Sequence, residues 1–363
     1  MADAGATRAA ELLAEIAAAP RPAGGEEEAR VRALCAARLE RAGFTVSEEP
    51  FTYSSFPGRF ATPLGGMIAL LAVAAAGHYG AHGRPVSTIG VVLVAIGALL
   101  VGGTALAKRV TTLPVARDVG VNLVATRGAP RVWVVAHLDS KSQPVPMLLR
   151  VGGIVTASLA LVALVALAIH ALSGGAVTLE LWRAVTIVGV VAAVPVILSV
   201  VGARSDGAID DGSGVATVLL AIERLPRDLP VAVLLTSAEE LGMAGAQAFA
   251  CGRRPASALN VDGVDDRGAI ICMRHGVAAR PRIGVAHAAQ ALAIRVRERR
   301  TIPGILTDGV ALANAGWSAV TLSRGTLGTL ARIHRPADRA ARVRGVGINE
   351  MARLLAQAVR EIA

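Results

Sequence analysis

Four stretches of this chain carry no charged residue: Phe60–Gly77, Thr88–Ala107, Val151–Ile169 and Ala184–Ala203. They come in two pairs, set into segments of ordinary mixed composition. A helix that crosses the hydrocarbon core of a bilayer needs about 20 apolar residues. The last three stretches meet that length; the first is slightly shorter and rich in Gly and Ala. Polar turns separate the members of each pair, with His78, His82 and Arg84 in the first and Ser173–Gly175 in the second. In lipid a segment must satisfy its own backbone groups, so each stretch is expected to be helical and each pair a hairpin. Pro195 would kink the last helix, which membrane helices tolerate. Two pairs of buried core helices are the soluble alternative, and the run lengths favour the membrane. A hairpin returns the chain to the side it left. The mixed segments 1–59, 108–146 and 204–363 are therefore expected to form one domain, with 60–107 and 147–203 as inserted hairpins.

Charge gives the expected orientation. Arg59, Lys108, Arg109, Arg117, Lys141, Arg150 and Arg204 flank the spans on the side of the mixed segments, against mainly Arg84 and Arg183 in the opposite turns. The excess of positive residues places the large domain in the cytoplasm of a multi-pass cell-membrane protein. The start, MADAGATRAAELLAEIAAAPRP, lacks an apolar core after a basic stretch and reads as an amphipathic helix rather than a secretory signal. The net charge of +10 comes almost wholly from Arg, with Lys only at 108 and 141. Nucleic acid is not expected as a partner: the arginines are scattered, and aromatics for base stacking make up only 3%. The densest basic cluster, Arg297, Arg299 and Arg300, suits a solvated face or anionic headgroups equally well. Cys35, Cys251 and Cys272 are far apart and odd in number, so neither a disulfide framework nor a thiolate metal site is indicated.

The mixed segments read as an α/β domain with a mixed, mostly parallel sheet covered by helices on both faces. Helices are expected over 5–19 and 25–42, followed by a strand at Phe44–Glu49. Strands follow at Val119–Ala125 and Arg131–Ala136. After the second apolar pair, a helix runs from Asp210 to about Arg224, with strands at Val231–Thr236, Ala258–Asp262, Ala269–Met273 and Ser318–Leu322. Further helices are expected near 245–250, 283–295, 308–315 and 345–361.

Polar residues gather at the strand ends, where open α/β sheets bind ligands. His137 and Asp139 follow one strand, Glu239 and Glu240 another, and Asp262 ends a third. Asp210 and Asp211 precede a helix, and His334 follows the last strand. Taken singly, each has a plain structural reading as a strand-end hydrogen bond, a helix cap or a solvated face. Together they are the imidazoles and carboxylates of a two-metal hydrolase. Adjacent carboxylates such as Glu239-Glu240 repel unless cations neutralise them. One of the pair can ligate a metal while the other handles protons.

The order AHLDS (136–140), AIDDGSGVA (208–216), TSAEELGMAGAQAFA (236–250), NVDG (260–263) and IHRPAD (333–338) resembles the M28 family of zinc peptidases. The likeness spans everything but the apolar hairpins. It implies an aminopeptidase with two Zn2+ ions, acting on peptides, which the apolar hairpins would anchor in the membrane. His137 and Asp262 would hold one ion, Glu240 and His334 the other, and Asp210 would bridge them, about 3.5–4 Å apart. Asp139 would orient His137, and Glu239 would carry a proton from the attacking water to the leaving amine. The chain departs from the family at Ile333, where a Tyr is common, at Arg335, where Thr is common, and at Gly309, near which a His is common. Two other readings share the fold: a glutaminyl-cyclase-like acyl transferase with one zinc, and a non-catalytic membrane scaffold. The complete ligand set and Glu239 speak against both.

Overall fold

The computed structural model describes residues 4–302 and 304–363. Helices α1 (Ala4–Ile16) and α2 (Glu26–Arg41) lead into strand β1 (Thr45–Ser54), followed by the long helices α3 (Phe56–Ala81) and α4 (Pro85–Lys108). Strands β2 (Arg117–Arg127) and β3 (Val132–His137) precede α5 (Met147–Leu172) and α6 (Leu179–Ile197). The remainder alternates: α7 (Ser213–Ile222), β4 (Val231–Thr236), α8 (Ala244–Ala250), β5 (Ser257–Val264), β6 (Ala269–His275), α9 (Ala279–Ala291), β7 (Val296–Arg300), α10 (Asp308–Asn314), β8 (Ser318–Gly325), α11 (Leu327–Arg332) and α12 (Val346–Ile362). The chain divides into two units. One comprises the segment ending at Ser55 together with Pro114–Ser142 and Ala203–Ala363; the other is Phe56–Leu113 with Gln143–Gly202.

The first unit is built on an eight-stranded sheet in the order β1-β2-β4-β3-β5-β8-β6-β7. Strands β4, β3, β5 and β8 run parallel, while β1–β2, β2–β4 and β6–β8 pair antiparallel. Every residue of β3 (VWVVAH) and β4 (VAVLLT) is buried. Central strands covered on both faces read as continuous apolar runs rather than alternations. One face carries the larger core. All ten residues of α7 are buried there, and α12 turns Ile348, Met351, Leu355, Val359 and Ile362 inward at helical spacing. On the other face, Trp133, Phe249 and Trp317 pack with ring centroids 4.8–5.9 Å apart.

The second unit is four helices, each of 19–26 residues and apolar enough to cross a membrane. Small residues let them approach. A Cβ on Gly77 would fall 1.8 Å from the Thr186 hydroxyl oxygen, and one on Gly80 would fall 2.3 Å from the Trp182 ring. The outward positions are large and apolar, among them Leu93, Val94, Leu159, Val162, Ile187 and Val191.

Several sequence expectations need correction, among them the helix expected from Asp210, which begins at Ser213 because Asp210 and Asp211 have non-helical backbone. The last apolar helix is Leu179–Ile197, not Ala184–Ala203; Thr178 caps its start, and its first turns include Glu180 and Arg183. Absence of charge marks apolar surface, whereas the cap marks where the helix begins. Strand β1 continues past Glu49 to Ser54 through Pro50, which is possible because β1 is an edge strand. Strand β7, Val-Arg-Glu-Arg-Arg, was not anticipated; it is the opposite edge and largely exposed.

Candidate active site

The carboxyl ends of the parallel strands converge on one group of side chains. His137 closes β3, and the next residue, Leu138, donates its N–H to the Thr236 carbonyl at the end of β4. That bond aligns the His137–Asp139 turn with the turn bearing Glu239 and Glu240. The alignment is reinforced from below: the backbone N–H groups of Glu239 and Glu240 donate to the two Asp139 carboxylate oxygens at 3.0 and 3.1 Å. Ala238 and His334 both adopt left-handed backbone (φ 57° and 60°). Such backbone costs roughly 1–2 kcal/mol at a residue with a Cβ. Strain of this kind gathers at functional sites.

His137 Nε2 lies 3.1 Å from Asp210 Oδ1 and 3.9 Å from Glu239 Oε2. Its other nitrogen, Nδ1, is 3.0 Å from the Asp139 carbonyl and 3.5 Å from the Asp139 carboxylate. The carbonyl is thus the hydrogen-bond acceptor that fixes the ring, and the carboxylate contributes charge. His334 Nε2 sits 2.9 Å from Asp210 Oδ2 and 3.3 Å from Glu240 Oε1. Ligand atoms of His137, Asp210 and Asp262 lie within 4.8 Å of one another, and so do those of Asp210, Glu240 and His334. Asp210 belongs to both groups.

Two observations fit these groups to cations. Glu240 Oε1 and both ring nitrogens of His334 are buried without a hydrogen-bond partner among the described residues, although oxygens stand close to Nε2. Buried polar atoms are ordinarily paired, and atoms that converge without donor geometry are what a metal centre leaves. The charges agree. Burial pushes Asp262 up to about 7, with Asp210 and Glu240 adding to the rise, and pushes Glu239 well above its usual range. Burial also works against a charge on His137, but its hydrogen bonds to Asp139 and Asp210 outweigh that and raise its pKa well above the usual value. The crowded, buried carboxylates thus draw in positive charge, and imidazole and carboxylate oxygen are the donors zinc takes.

All six expected ligand and base residues therefore meet, and Asp139 underlies them. Sequence reasoning gave Asp211 no separate role and assigned no site role to several others. Asp211 is fully buried and accepts from the N–H groups of His137 (3.3 Å), Gly214 (2.9 Å) and Gly263 (3.1 Å), tying β3, α7 and the Asp262 loop together. Asp338 accepts from the N–H of Ile209 at 2.8 Å and of Asp210 at 3.3 Å. Its place four residues after His334 in IHRPAD was the one available signal. Lys141 reaches the site, with Nζ 2.5 Å from Glu240 Oε2. Arg21, with none of its surface exposed, donates to the carbonyls of Leu138, Asp206 and Gly207. At Gly309 the structure leaves no room for a side chain: a Cβ would lie 2.5 Å from Thr321 Oγ1 and 2.9 Å from His275 Cδ2. His275 fills that space, hydrogen-bonded to Thr301 and Thr321, and burial lowers its pKa to about 4.

The fold recurs in solved structures. An aminopeptidase from Aneurinibacillus sp. strain AM-1 superposes with a TM-score of 0.58 at 13% identity, over 99% of this chain and 94% of that one. A zinc aminopeptidase from Bacillus subtilis gives 0.57 at 14% identity, over 98% and 94%. A glutaminyl cyclase from Porphyromonas gingivalis gives 0.57 at 13% identity, over 99% and 98%. No curated protein matches the sequence. The model of peptidase family M28 matches residues 119–359, which include all seven residues singled out above from the motifs. The chain belongs to peptidase family M28.

Proposed function

We propose that this chain is a zinc-dependent exopeptidase of the aminopeptidase type, anchored in the cell membrane by α3–α6, with its catalytic unit in the cytoplasm. The observation that carries the reading is the pair of ligand groups sharing Asp210, with Glu239 beside the first of them. His137, Asp210 and Asp262 would hold one zinc ion, and Asp210, Glu240 and His334 a second. When bound, zinc supplies Lewis acidity, easing ionisation of water and polarising the scissile carbonyl. The chain's own residues do the rest. The Asp139 carbonyl fixes the tautomer of His137 so that Nε2 faces the site. Glu239, held at the backbone by Asp139, accepts a proton from the attacking water and returns it to the leaving amine. Its burial suits this role, since a carboxyl of raised pKa holds a proton long enough to deliver it.

The anchoring reading rests on the length and apolarity of the four helices, and the cytoplasmic orientation on the basic residues flanking them. A reporter fused at the C-terminus is expected to score as cytoplasmic; an extracytoplasmic score overturns the orientation. The activity is tested on the full chain in detergent. Zinc is measured by elemental analysis, and hydrolysis of aminoacyl chromogenic substrates is followed for the wild type and Glu239→Gln. The variant should retain zinc and lose activity by about 10²- to 10⁴-fold, the contribution of a positioned general base. Absence of zinc, or equal rates, overturns the reading. The likeness to a glutaminyl cyclase keeps one competitor, and release of ammonia from N-terminal glutaminyl peptides without hydrolysis of the chromogenic substrates would favour it.

A further inference from the structure

The two ligand groups share Asp210, but they are not electrostatically alike. Glu240 is divided between two neighbours: Oε2 lies 2.5 Å from the Lys141 ammonium, and Oε1 faces His334 Nε2 at 3.3 Å. A carboxylate with one oxygen held by an ammonium offers only the other to a metal. The side chain of Lys141 is 17% exposed and that of Glu240 is 4% exposed, so solvent screens the contact little. Among the described residues, no Lys or Arg side chain pairs with His137, Asp210, Asp262 or His334; Lys141 on Glu240 is the one such contact to any of the five candidate ligands. The residue type also matters. Of 37 basic residues the chain has two lysines, and one stands here. A guanidinium would engage both carboxylate oxygens as a planar fork, whereas an ammonium is a compact point charge that can hold one and leave the other free.

We propose that Lys141 is a positioning residue that holds Glu240 as a one-oxygen ligand and sets a lower cation affinity at Asp210–Glu240–His334 than at His137–Asp210–Asp262. The inference rests on the metallopeptidase reading above. A fixed positive charge beside a seat for a dication opposes its entry and competes for the carboxylate that should receive it. The first seat has no such competitor. The centre then holds one metal ion firmly, while the second exchanges with the surrounding pool of divalent metal, and Lys141 keeps Glu240 from becoming an uncompensated buried charge whenever that ion is absent.

The test is metal binding to the full chain in detergent, read without turnover. Apo-protein is dialysed against buffered free zinc over a wide range and bound zinc is measured by elemental analysis. Visible absorption of added cobalt provides a second readout of each step. The wild type is expected to fill in two steps separated by at least 100-fold in free metal. Lys141→Met should leave the first step in place and tighten the second at least tenfold. Lys141→Arg, which keeps the charge, should leave the second step weak. Wild-type protein that fills both seats together overturns the proposal, whatever the variants do. So does a second step unmoved in Lys141→Met, or a first step that weakens along with the second. Those three results leave the metallopeptidase reading standing. Wild-type protein that takes up no metal overturns both.

Discussion

Replacing Arg21 with Met is the sharpest probe of how the site is assembled. The guanidinium is wholly buried and has no carboxylate partner within ion-pair distance among the described residues. Nε donates to the Leu138 carbonyl at 2.8 Å, and the two terminal nitrogens donate to Asp206 at 2.6 Å and Gly207 at 2.9 Å. One side chain thus holds the residue between His137 and Asp139 against the residues that precede Asp210. The backbone repeats the link: Arg21 N–H donates to Ser140 Oγ, and Ser140 N–H donates to the Arg21 carbonyl. A hydrogen bond to a charged group contributes about 1.5–3 kcal/mol. Three such bonds are partly offset by the cost of burying the cation, so the net loss is expected to be about 3 kcal/mol, the lower end for breaking a buried charged network. In a unit of this size each kcal/mol lowers the unfolding temperature by roughly 2–4 °C, giving a fall of roughly 6–12 °C. Zinc affinity should fall about 10- to 100-fold, as when a residue supporting a ligand is lost. Arg21→Lys should not rescue, because one ammonium cannot span the three carbonyls. Thermal unfolding followed by tryptophan fluorescence, with zinc binding on the same samples, decides the matter. A variant within 1 kcal/mol of the wild type and unchanged in zinc affinity would refute the reasoning.

Two further outcomes are expected. Burial pushes the Glu28 carboxyl up to about 8, with the charge of Asp139 adding to the rise, while one oxygen accepts the Gly24 N–H at 2.7 Å. The folded state therefore binds this proton more tightly than the unfolded chain, whose carboxyl titrates near 4.3; the stabilisation is complete below that pH and drains as the pH rises to about 8. Glu28→Gln should flatten the decline between pH 5 and 8 and be the more stable protein at pH 8, as read from denaturation midpoints across that range. In the second unit, Gly80→Ala would drive a methyl into the Trp182 ring. It should destabilise the α3–α6 packing by about 1–3 kcal/mol, the usual penalty of overpacking, and shift the Trp182 emission, while zinc binding stays as in the wild type.

The sequence made some of this architecture legible and concealed the rest for physical reasons. Strands β3 and β4 were readable because central parallel strands are apolar throughout, and their ends delivered His137 and the Glu239-Glu240 pair directly. Strand β7 was hidden because an exposed edge needs no buried side, so Val-Arg-Glu-Arg-Arg looks like surface. Asp211 shows a different limit. Beside Asp210 in the sequence, it has the same chemistry, and nothing in the letters says which carboxylate faces the site and which turns back to three backbone N–H groups. Arg21 was hidden by composition, and Lys141 reads in the sequence only as one of the basic residues flanking the apolar stretches. In a chain with 37 basic residues, one more cation reads as solvated surface unless burial is known.

The placement of the two insertions explains how an α/β site tolerates them. Each interrupts the catalytic unit where the chain already closes on itself. Strands β1 and β2 pair antiparallel up to Ser54 and Arg117, and beyond that pair Ser55 N–H donates to the Ala116 carbonyl at 2.9 Å, so the first insertion occupies the tip of a hairpin. The second leaves the unit at Ser142 and re-enters at Ala203. There Arg204 N–H donates to Ser142 Oγ at 2.9 Å, and Ser140 Oγ donates to the Ser205 carbonyl at 3.1 Å. Loop-closure entropy grows only as the logarithm of loop length, so a long excursion between fixed ends costs little more than a short one. What the insertion could disturb is the register between His137 and Asp210, two candidate ligands on either side of it. Arg21, Ser140 and Ser142 fix that register from within the first unit, so the insertion leaves the 3.1 Å contact between His137 and Asp210 intact.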